Sequence, residues 1–160
     1  MVVDLQLPRT NDPLFEGFTA GRVGSSLFFP GLPAVGMRSF INTFRGAHRD
    51  HGLLKSLSMA YQASRGAISG SYDMGKWFIG ESLKSGDYWK PAVYGGMAFE
   101  MGSAVSASAG LALGAINLAR RQYVRGLALL GLSTLTLGIQ TYAALRNHDA
   151  VQSLYKSRGV

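Results

Sequence analysis

The sequence contains no cysteine among its 160 residues. This absence excludes disulfide bonds, cysteine nucleophiles and thiolate metal sites. Charged residues are also scarce, at 16% of the chain, where about 25% is usual for soluble domains. Since the apolar fraction of 47% is ordinary, the low charge content argues against a typical soluble surface.

Acidic residues are the scarcer charged type, with 9 Asp and Glu against 16 Lys and Arg, so that the net charge is +7. A chain of this sign prefers anionic partners, and nucleic acid and anionic lipid both qualify. In residues 101–160, six basic groups and one acidic group lie between uncharged segments rather than along one exposed face. This distribution favours a membrane partner over nucleic acid.

Motifs that carry chemistry are missing as well. Gly17, Gly21 and Gly24 predict no phosphate-binding loop, because no strand pattern precedes them and no Lys-Ser or Lys-Thr pair follows. The sequence has no Gly-x-Ser-x-Gly nucleophile motif. His48 and His51 have the spacing of two metal ligands, but no third or fourth ligand is nearby. We therefore expect no catalytic, cofactor-binding or metal-binding residues, and a protein that is not an enzyme.

Two long uncharged runs dominate the carboxyl-terminal part of the chain. Met101–Ala119 has 19 residues without a charge, and Gly126–Leu145 has 20. Helices of this length measure about 30 Å, which matches the hydrocarbon core of a bilayer. The runs predict two transmembrane helices, and the alternative is a pair of buried helices in a soluble core. The first run is rich in Ala, Ser and Gly, so it needs a protein neighbour more than the Leu-rich second run does.

Small residues recur at helical spacing in both runs. Such residues allow two membrane helices to approach closely. Their spacing, four positions in the first run and three or four in the second, predicts one packing face on each helix and hence a tight hairpin. The alternative is that Gly and Ala are simply common in membrane helices. The residues assigned to helix packing are Gly102, Ser106, Gly110, Gly114, Gly131 and Gly138.

Three arginines, Arg120, Arg121 and Arg125, lie between the two runs with no acid nearby. The positive-inside rule puts such a short loop on the side from which insertion begins, which is the matrix side in a mitochondrion. The carboxyl-terminal flank is also basic, which works against this orientation. We further hypothesise that the three arginines bind phosphate head groups of a lipid such as cardiolipin. The alternative is a topology signal without a specific ligand.

The rest of the chain has different patterns. Residues 1–34 combine four prolines with large apolar side chains, which predicts an extended segment that binds a partner. Residues 35–90 carry apolar and basic side chains at helical spacing, interrupted at Asp50-His51-Gly52. This pattern predicts amphipathic helices on the membrane surface or against partner subunits. Residues 147–160 are predicted to form a polar tail.

Glu100 immediately precedes the first uncharged run. If the helix begins near Pro91, this carboxyl lies inside the apolar zone, where an acid is costly and often functional. A proton relay is one interpretation. The favoured interpretation is a carboxylate near the membrane interface or paired with a basic residue of another subunit.

Together these patterns predict an all-α membrane protein in which residues 91–146 form a transmembrane helical hairpin. The expected role is a non-catalytic accessory subunit, structural or for assembly, of a large energy-converting complex in the mitochondrial inner membrane. The respiratory chain ranks above ATP synthase. The expected partners are other subunits and membrane lipid, with a bound phospholipid such as cardiolipin and no cofactor. The alternatives are a membrane-shaping or protein-translocation hairpin and a small proton-coupled carrier.

Overall fold

The computed structural model describes residues 12–159. Within this range the chain forms five helices and no strand, which agrees with the predicted all-α class. The helices are α1 (Pro13–Ser26), α2 (Gly31–Asp50), α3 (Leu53–Lys84), α4 (Lys90–Ala119) and α5 (Tyr123–Ser157).

Residues 12–34 are mostly helical, and the prediction of an extended segment is wrong there. Asp12 caps α1, because its side chain accepts a hydrogen bond at 2.9 Å from the backbone N–H two residues later. Pro13 follows at the start of the helix, where a residue without an N–H loses no helical hydrogen bond. Pro30 is the N-cap residue of α2 and lies immediately before its first helical residue, so these prolines precede or begin helices rather than break them. The part of the prediction that concerns residues 1–11 lies outside the described residues.

α2 and α3 form an antiparallel pair joined by His51 and Gly52. This turn coincides with the predicted interruption of the amphipathic pattern. The two helices approach closely at Gly36, where an added Cβ would lie 2.7 Å from Cδ1 of Ile68. Both helices also leave large apolar side chains exposed, namely Met37, Ile41, Leu53, Leu54, Leu57, Tyr61 and Tyr72. The pair thus presents apolar surface that the described chain does not cover.

α4 and α5 also run antiparallel. Ser103 of α4 is hydrogen-bonded to Gln140 of α5, and Gly114 of α4 lies opposite Gly126 of α5 close to the connecting turn. α4 starts 11 residues before the uncharged run Met101–Ala119. The charged and aromatic residues ahead of that run therefore belong to the same helix.

α5 continues far beyond its uncharged run and ends at Ser157. The prediction of a polar tail at residues 147–160 is therefore wrong for most of that range. Val151 is fully buried and His148 is 6% exposed. Burial of these side chains against other helices stabilises the helical conformation of this polar end of α5.

The hydrophobic core lies where α1, α3 and α5 meet. Burying a large apolar side chain contributes roughly 1.5–3 kcal/mol, so this cluster is a main source of tertiary stability. α4 joins through α1, with which it runs parallel, and the backbone N–H of Trp89 donates to the carbonyl oxygen of Pro13 at 3.2 Å. The core therefore lies at the ends of α4 and α5 that are remote from their connecting turn. Its residues are Val23, Leu27, Met74, Phe78 and Val151, with Trp77 and Tyr155 packed against them.

Candidate functional site

The outer surfaces of α4 and α5 are apolar and exposed. Both helices are long and apolar enough to cross a membrane, yet only 22% of the most apolar stretch of α4 and 17% of that of α5 is buried within the chain. Helices of a soluble core are mostly buried, and the most apolar stretches of α4 and α5 differ from them in this respect. We call the exposed Val, Leu and Ile side chains of their uncharged runs the apolar belt: Val105, Leu113, Ile116, Leu127, Leu132, Leu135 and Ile139.

Glycines bring α4 and α5 into contact near their turn. An added Cβ at Gly114 would lie 3.1 Å from the carbonyl oxygen of Gly126, and one at Gly126 would lie 3.0 Å from that of Gly114. A Cβ at Gly110 would overlap with the hydroxyl group of Ser133. Gly110 and Gly114, which the sequence assigned to packing, thus lie in this contact.

The other four residues assigned to packing lie outside this contact. Gly102, Ser106, Gly131 and Gly138 are exposed, and a Cβ on any of these three glycines would meet no atom within 4 Å. A shift of one position turns a helical residue by about 100°. Because small residues stand on several faces of both helices, their spacing does not select the buried face. That face contains Ala104 and Ala107 in α4, and Ser133, Gln140 and Ala144 in α5.

A polar contact links α4 and α5 within the apolar stretch. The side-chain amide of Gln140 donates to the hydroxyl oxygen of Ser103. The Ser103 hydroxyl in turn donates to the backbone carbonyl of Glu100 at 2.9 Å. Among the described residues, Oε1 of Gln140 is the one buried side-chain polar atom without a hydrogen-bond partner. A polar contact between apolar helices favours one register, because displacement would also leave the side-chain N–H groups of Gln140 without this partner.

α1 and α4 touch through their backbones. A Cβ on Gly21 would overlap with the carbonyl oxygen of Val93, and one on Gly96 would overlap with that of Phe18. Only glycine allows this approach. The four-residue spacing of Gly17 and Gly21 is a sequence signal for such a contact.

Glu100 is buried at the contact between α1 and α4, with 4% of its side chain exposed. Its Oε2 accepts a hydrogen bond from Nε of Arg22 at 3.0 Å, and this arginine is 48% exposed. The guanidinium of Arg22 also lies 5.2 Å from the ring centre of Phe99. Glu100 thus has a basic partner within its own chain, whereas the favoured interpretation was a carboxylate near the membrane interface or paired with a basic residue of another subunit.

A second polar cluster joins α2, α3 and α5. Two guanidinium nitrogens of Arg38 donate to the carboxylate of Asp149 at 2.7 and 3.0 Å. The buried ring of His148 places Nε2 2.9 Å from Oγ of Ser71 and Nδ1 3.2 Å from Oδ1 of Asp149. Hydrogen bonding from Arg38 lowers the pKa of Asp149, and the same bond raises the pKa of Arg38. Both groups lie outside the uncharged runs, in a cluster that the sequence analysis missed.

We expect acid to weaken the contact between Arg38 and Asp149. Because the folded-state pKa of Asp149 is lowered, its contribution is complete above the unfolded-state pKa of about 3.9. The contribution is lost as the pH falls through the lower folded-state pKa. Both side chains are more than a third exposed, at 38% and 56%, so we expect it to be under about 1 kcal/mol at neutral pH.

Chemical unfolding of the wild type and of Asp149→Asn measures this contribution. The difference in unfolding free energy should be present near pH 7 and should disappear in acid, once the pH has fallen through the lowered folded-state pKa of Asp149. Asp73→Asn, which changes an exposed carboxylate of α3, is the matched control and should show little effect at either pH. A constant penalty for Asp149→Asn over the whole pH range would contradict the expectation.

The turn between α4 and α5 exposes Arg120, Arg121 and Arg125. An open depression of about 450 Å³ is lined by the five residues from Arg121 to Arg125. The three arginines that the sequence singled out are therefore together at one end of the helix pair.

The histidine pair has other surroundings. Within residues 12–159, no group of three or more His, Cys, Asp or Glu side chains is arranged to hold a metal ion. His48 stacks on Phe44 with ring centres 5.3 Å apart, and His51 lies at the end of α2.

Three features of the described chain remain as candidate functional sites: the apolar belt, the ion pair of Arg22 with Glu100, and the basic turn with Arg120, Arg121 and Arg125. Comparisons with protein-family models, curated proteins and solved structures find no match to this chain.

Proposed function

We propose that this protein crosses a membrane twice, through α4 and α5, and serves as a non-catalytic accessory subunit of a large energy-converting complex. The observation that carries this proposal is the apolar belt, which the chain leaves uncovered on two helices of spanning length. Exposing apolar surface to water costs roughly 25 cal/mol per Å². Lipid tails or apolar surfaces of other subunits would remove that cost.

Aromatic residues at the ends of the helices support the proposed spans. Trp89 and Tyr94, near the start of α4, are 52% and 56% exposed, and Tyr123, at the start of α5, is 59% exposed. Trp and Tyr side chains favour the interface between membrane and water. Because α4 and α5 are antiparallel, Tyr123 lies at the opposite end of the pair from Trp89 and Tyr94. Two interfaces of one bilayer require this arrangement.

An accessory role accounts for the apolar surface on the other helices. Leu54 is 82% exposed and Met37 is 60% exposed, on the α2–α3 pair. Large exposed apolar patches mark surfaces for proteins or membranes. We place the complex in the mitochondrial inner membrane because the chain is strongly basic, and we rank the respiratory chain above ATP synthase because of the number of accessory subunits it contains.

Native gel electrophoresis of mitochondrial membranes solubilised in mild detergent tests the accessory role. The full chain carrying an epitope tag should migrate with a large complex that stains for respiratory activity in the gel. Depletion of the chain should lower the amount of that complex. Migration as a free chain or as a small homo-oligomer would exclude the accessory role. The proposed membrane spans would then be tested separately, by alkaline extraction.

An arginine in the middle of the apolar belt should prevent membrane integration. Leu135 is 62% exposed near the centre of the second uncharged run, and arginine at the centre of a span is about 3 kcal/mol less favourable than leucine. We expect Leu135→Arg to move most of the chain into the alkali-soluble fraction, whereas wild type stays with the membrane. Leu54→Arg, which makes the same change on α3, should remain membrane-bound. Equal extraction of both variants and the wild type would contradict the proposed second span.

A membrane-shaping or translocation hairpin is the second candidate function. It is favoured by the exposed small residues Gly102, Ser106, Gly131 and Gly138, which leave the outer faces of α4 and α5 open to another copy. Such a protein should self-associate and deform liposomes when purified alone. The proton-coupled carrier has less support, because Glu100 is engaged by Arg22.

A further inference from the structure

The turn between α4 and α5 uses an arginine where glycine is the usual residue. The backbone N–H of Gln122 donates to the carbonyl of Asn117, and that of Arg121 donates to the carbonyl of Leu118, both at 2.9 Å. These two bonds are the Schellman pattern that ends many helices. Arg121 occupies its left-handed position, with a φ of 62°. Glycine adopts this conformation without strain, whereas other residues do so at a cost. Arg121 therefore adds nothing to the turn that glycine would not provide better.

The charges of this turn have no acidic partner among the residues that the structure describes. Arg120, Arg121 and Arg125 are exposed, and no ion pair within residues 12–159 involves any of them. The nearest acidic residues along the sequence are Glu100 and Asp149, at least 20 positions away, and each already contacts an arginine of another helix. Three guanidinium groups thus concentrate positive charge at one end of the helix pair.

The surroundings of these charges are apolar on one side. Val124, which is 84% exposed, lines the depression, and Leu127, which is 63% exposed, follows three residues later in α5. Among the described residues, no side chain caps the N-terminus of α5 there, so its first N–H groups point their partial positive charge toward the same space. A ligand that fits has anionic groups joined to an apolar body. A phospholipid has this chemistry, and free phosphate lacks the apolar part.

We propose that the basic turn binds the head group of an anionic phospholipid, with two phosphate groups, as in cardiolipin, suited to three arginines. Guanidinium groups bind phosphate oxygens in a bidentate manner, and the acyl chains would lie along Val124 and Leu127. This inference rests on the proposed membrane spans, because they place the turn at the level of the head groups.

Native mass spectrometry of the delipidated full chain in detergent tests the proposal, with cardiolipin and phosphatidylcholine added in turn. The wild type should retain cardiolipin in preference to phosphatidylcholine. The triple variant R120Q/R121Q/R125Q should lose cardiolipin affinity by roughly a hundredfold. The matched control R45Q/R49Q/K55Q removes three charges elsewhere and should keep the wild-type affinity. Equal losses of cardiolipin affinity in both triple variants would show that the affinity depends only on net charge. This result would overturn the proposal.

Arg121→Gly separates a ligand-binding role from a structural one. Because glycine suits the left-handed position, this variant should have a higher melting temperature than the wild type and yet bind cardiolipin at least several-fold more weakly. Unchanged lipid affinity in this variant would overturn the assignment of Arg121.

The source of the phosphate and the membrane proposal need separate readouts. Inorganic phosphate added in excess should not displace bound cardiolipin, and efficient displacement would identify a free-anion site instead. If the triple variant stays membrane-integrated and keeps full cardiolipin affinity, this inference fails while the proposed spans stand. If alkaline extraction releases the wild type from the membrane, the proposed spans are wrong, and the lipid-binding inference that rests on them is wrong as well.

Discussion

Replacing Gly21 by alanine is expected to destabilise the folded chain by about 1–3 kcal/mol, which is the usual cost of overpacking. The added methyl group would overlap with the backbone carbonyl of Val93. A backbone atom cannot move aside as a flexible side chain can, so α1 and α4 would have to separate. That separation would also displace Arg22 from Glu100. Denaturant or thermal unfolding of the full chain in detergent measures the loss.

Glycine positions in open surroundings supply the control for this prediction. Gly70 lies within α3, and an added Cβ there would meet no atom within 4 Å. Gly70→Ala should therefore be neutral or stabilise the chain by roughly 0.5–1 kcal/mol through backbone entropy. Gly96→Ala should reproduce the effect of Gly21→Ala, and the double variant should fall short of the sum, because both changes open one contact. Similar stability of Gly21→Ala and Gly70→Ala would contradict the close approach of α1 and α4.

Removing Arg22 is expected to cost about 2–3 kcal/mol. Arg22→Ala leaves the carboxylate of Glu100, whose side chain is 4% exposed, without its basic partner. Breaking a fully buried ion pair typically costs 3–5 kcal/mol, and the value expected here is lower because Arg22 is half-exposed and water reaches one side of the pair. The change in unfolding free energy of the full chain in detergent is the measurement.

The order of effects at this ion pair is the sharper test. Glu100→Gln should cost only about 1 kcal/mol, because a neutral amide is cheaper to bury than an unpaired charge. The double variant R22A/E100Q should then be more stable than Arg22→Ala alone. Arg65→Ala, which removes an exposed arginine of α3, is the control and should have little effect. An R22A/E100Q variant that is less stable than Arg22→Ala would contradict a pairing role for Arg22.

The sequence was sufficient for features that depend on neighbouring residues. Uncharged runs of 19 and 20 residues predicted the apolar parts of α4 and α5, because span length and composition are local properties. The interruption at Asp50-His51-Gly52 predicted the turn between α2 and α3 for the same reason. α1 is consistent with Asp12-Pro13, an N-cap residue followed by a helix-starting proline, whereas the number of prolines in residues 1–34 predicts an extended segment.

The amino-acid sequence by itself determined the kind of molecule. It is a helical chain that is poor in charge and has two stretches long enough to span a bilayer. Only the packed chain decided that Arg22 meets Glu100 across 78 positions, and that Gly17, Gly21 and Gly96 bring backbones together while Gly102 and Gly138 stay exposed. The physical reason is that helix periodicity limits which residues share a face. Which of several similar faces becomes buried depends on the neighbour that packs against it, and that neighbour comes from a distant part of the sequence.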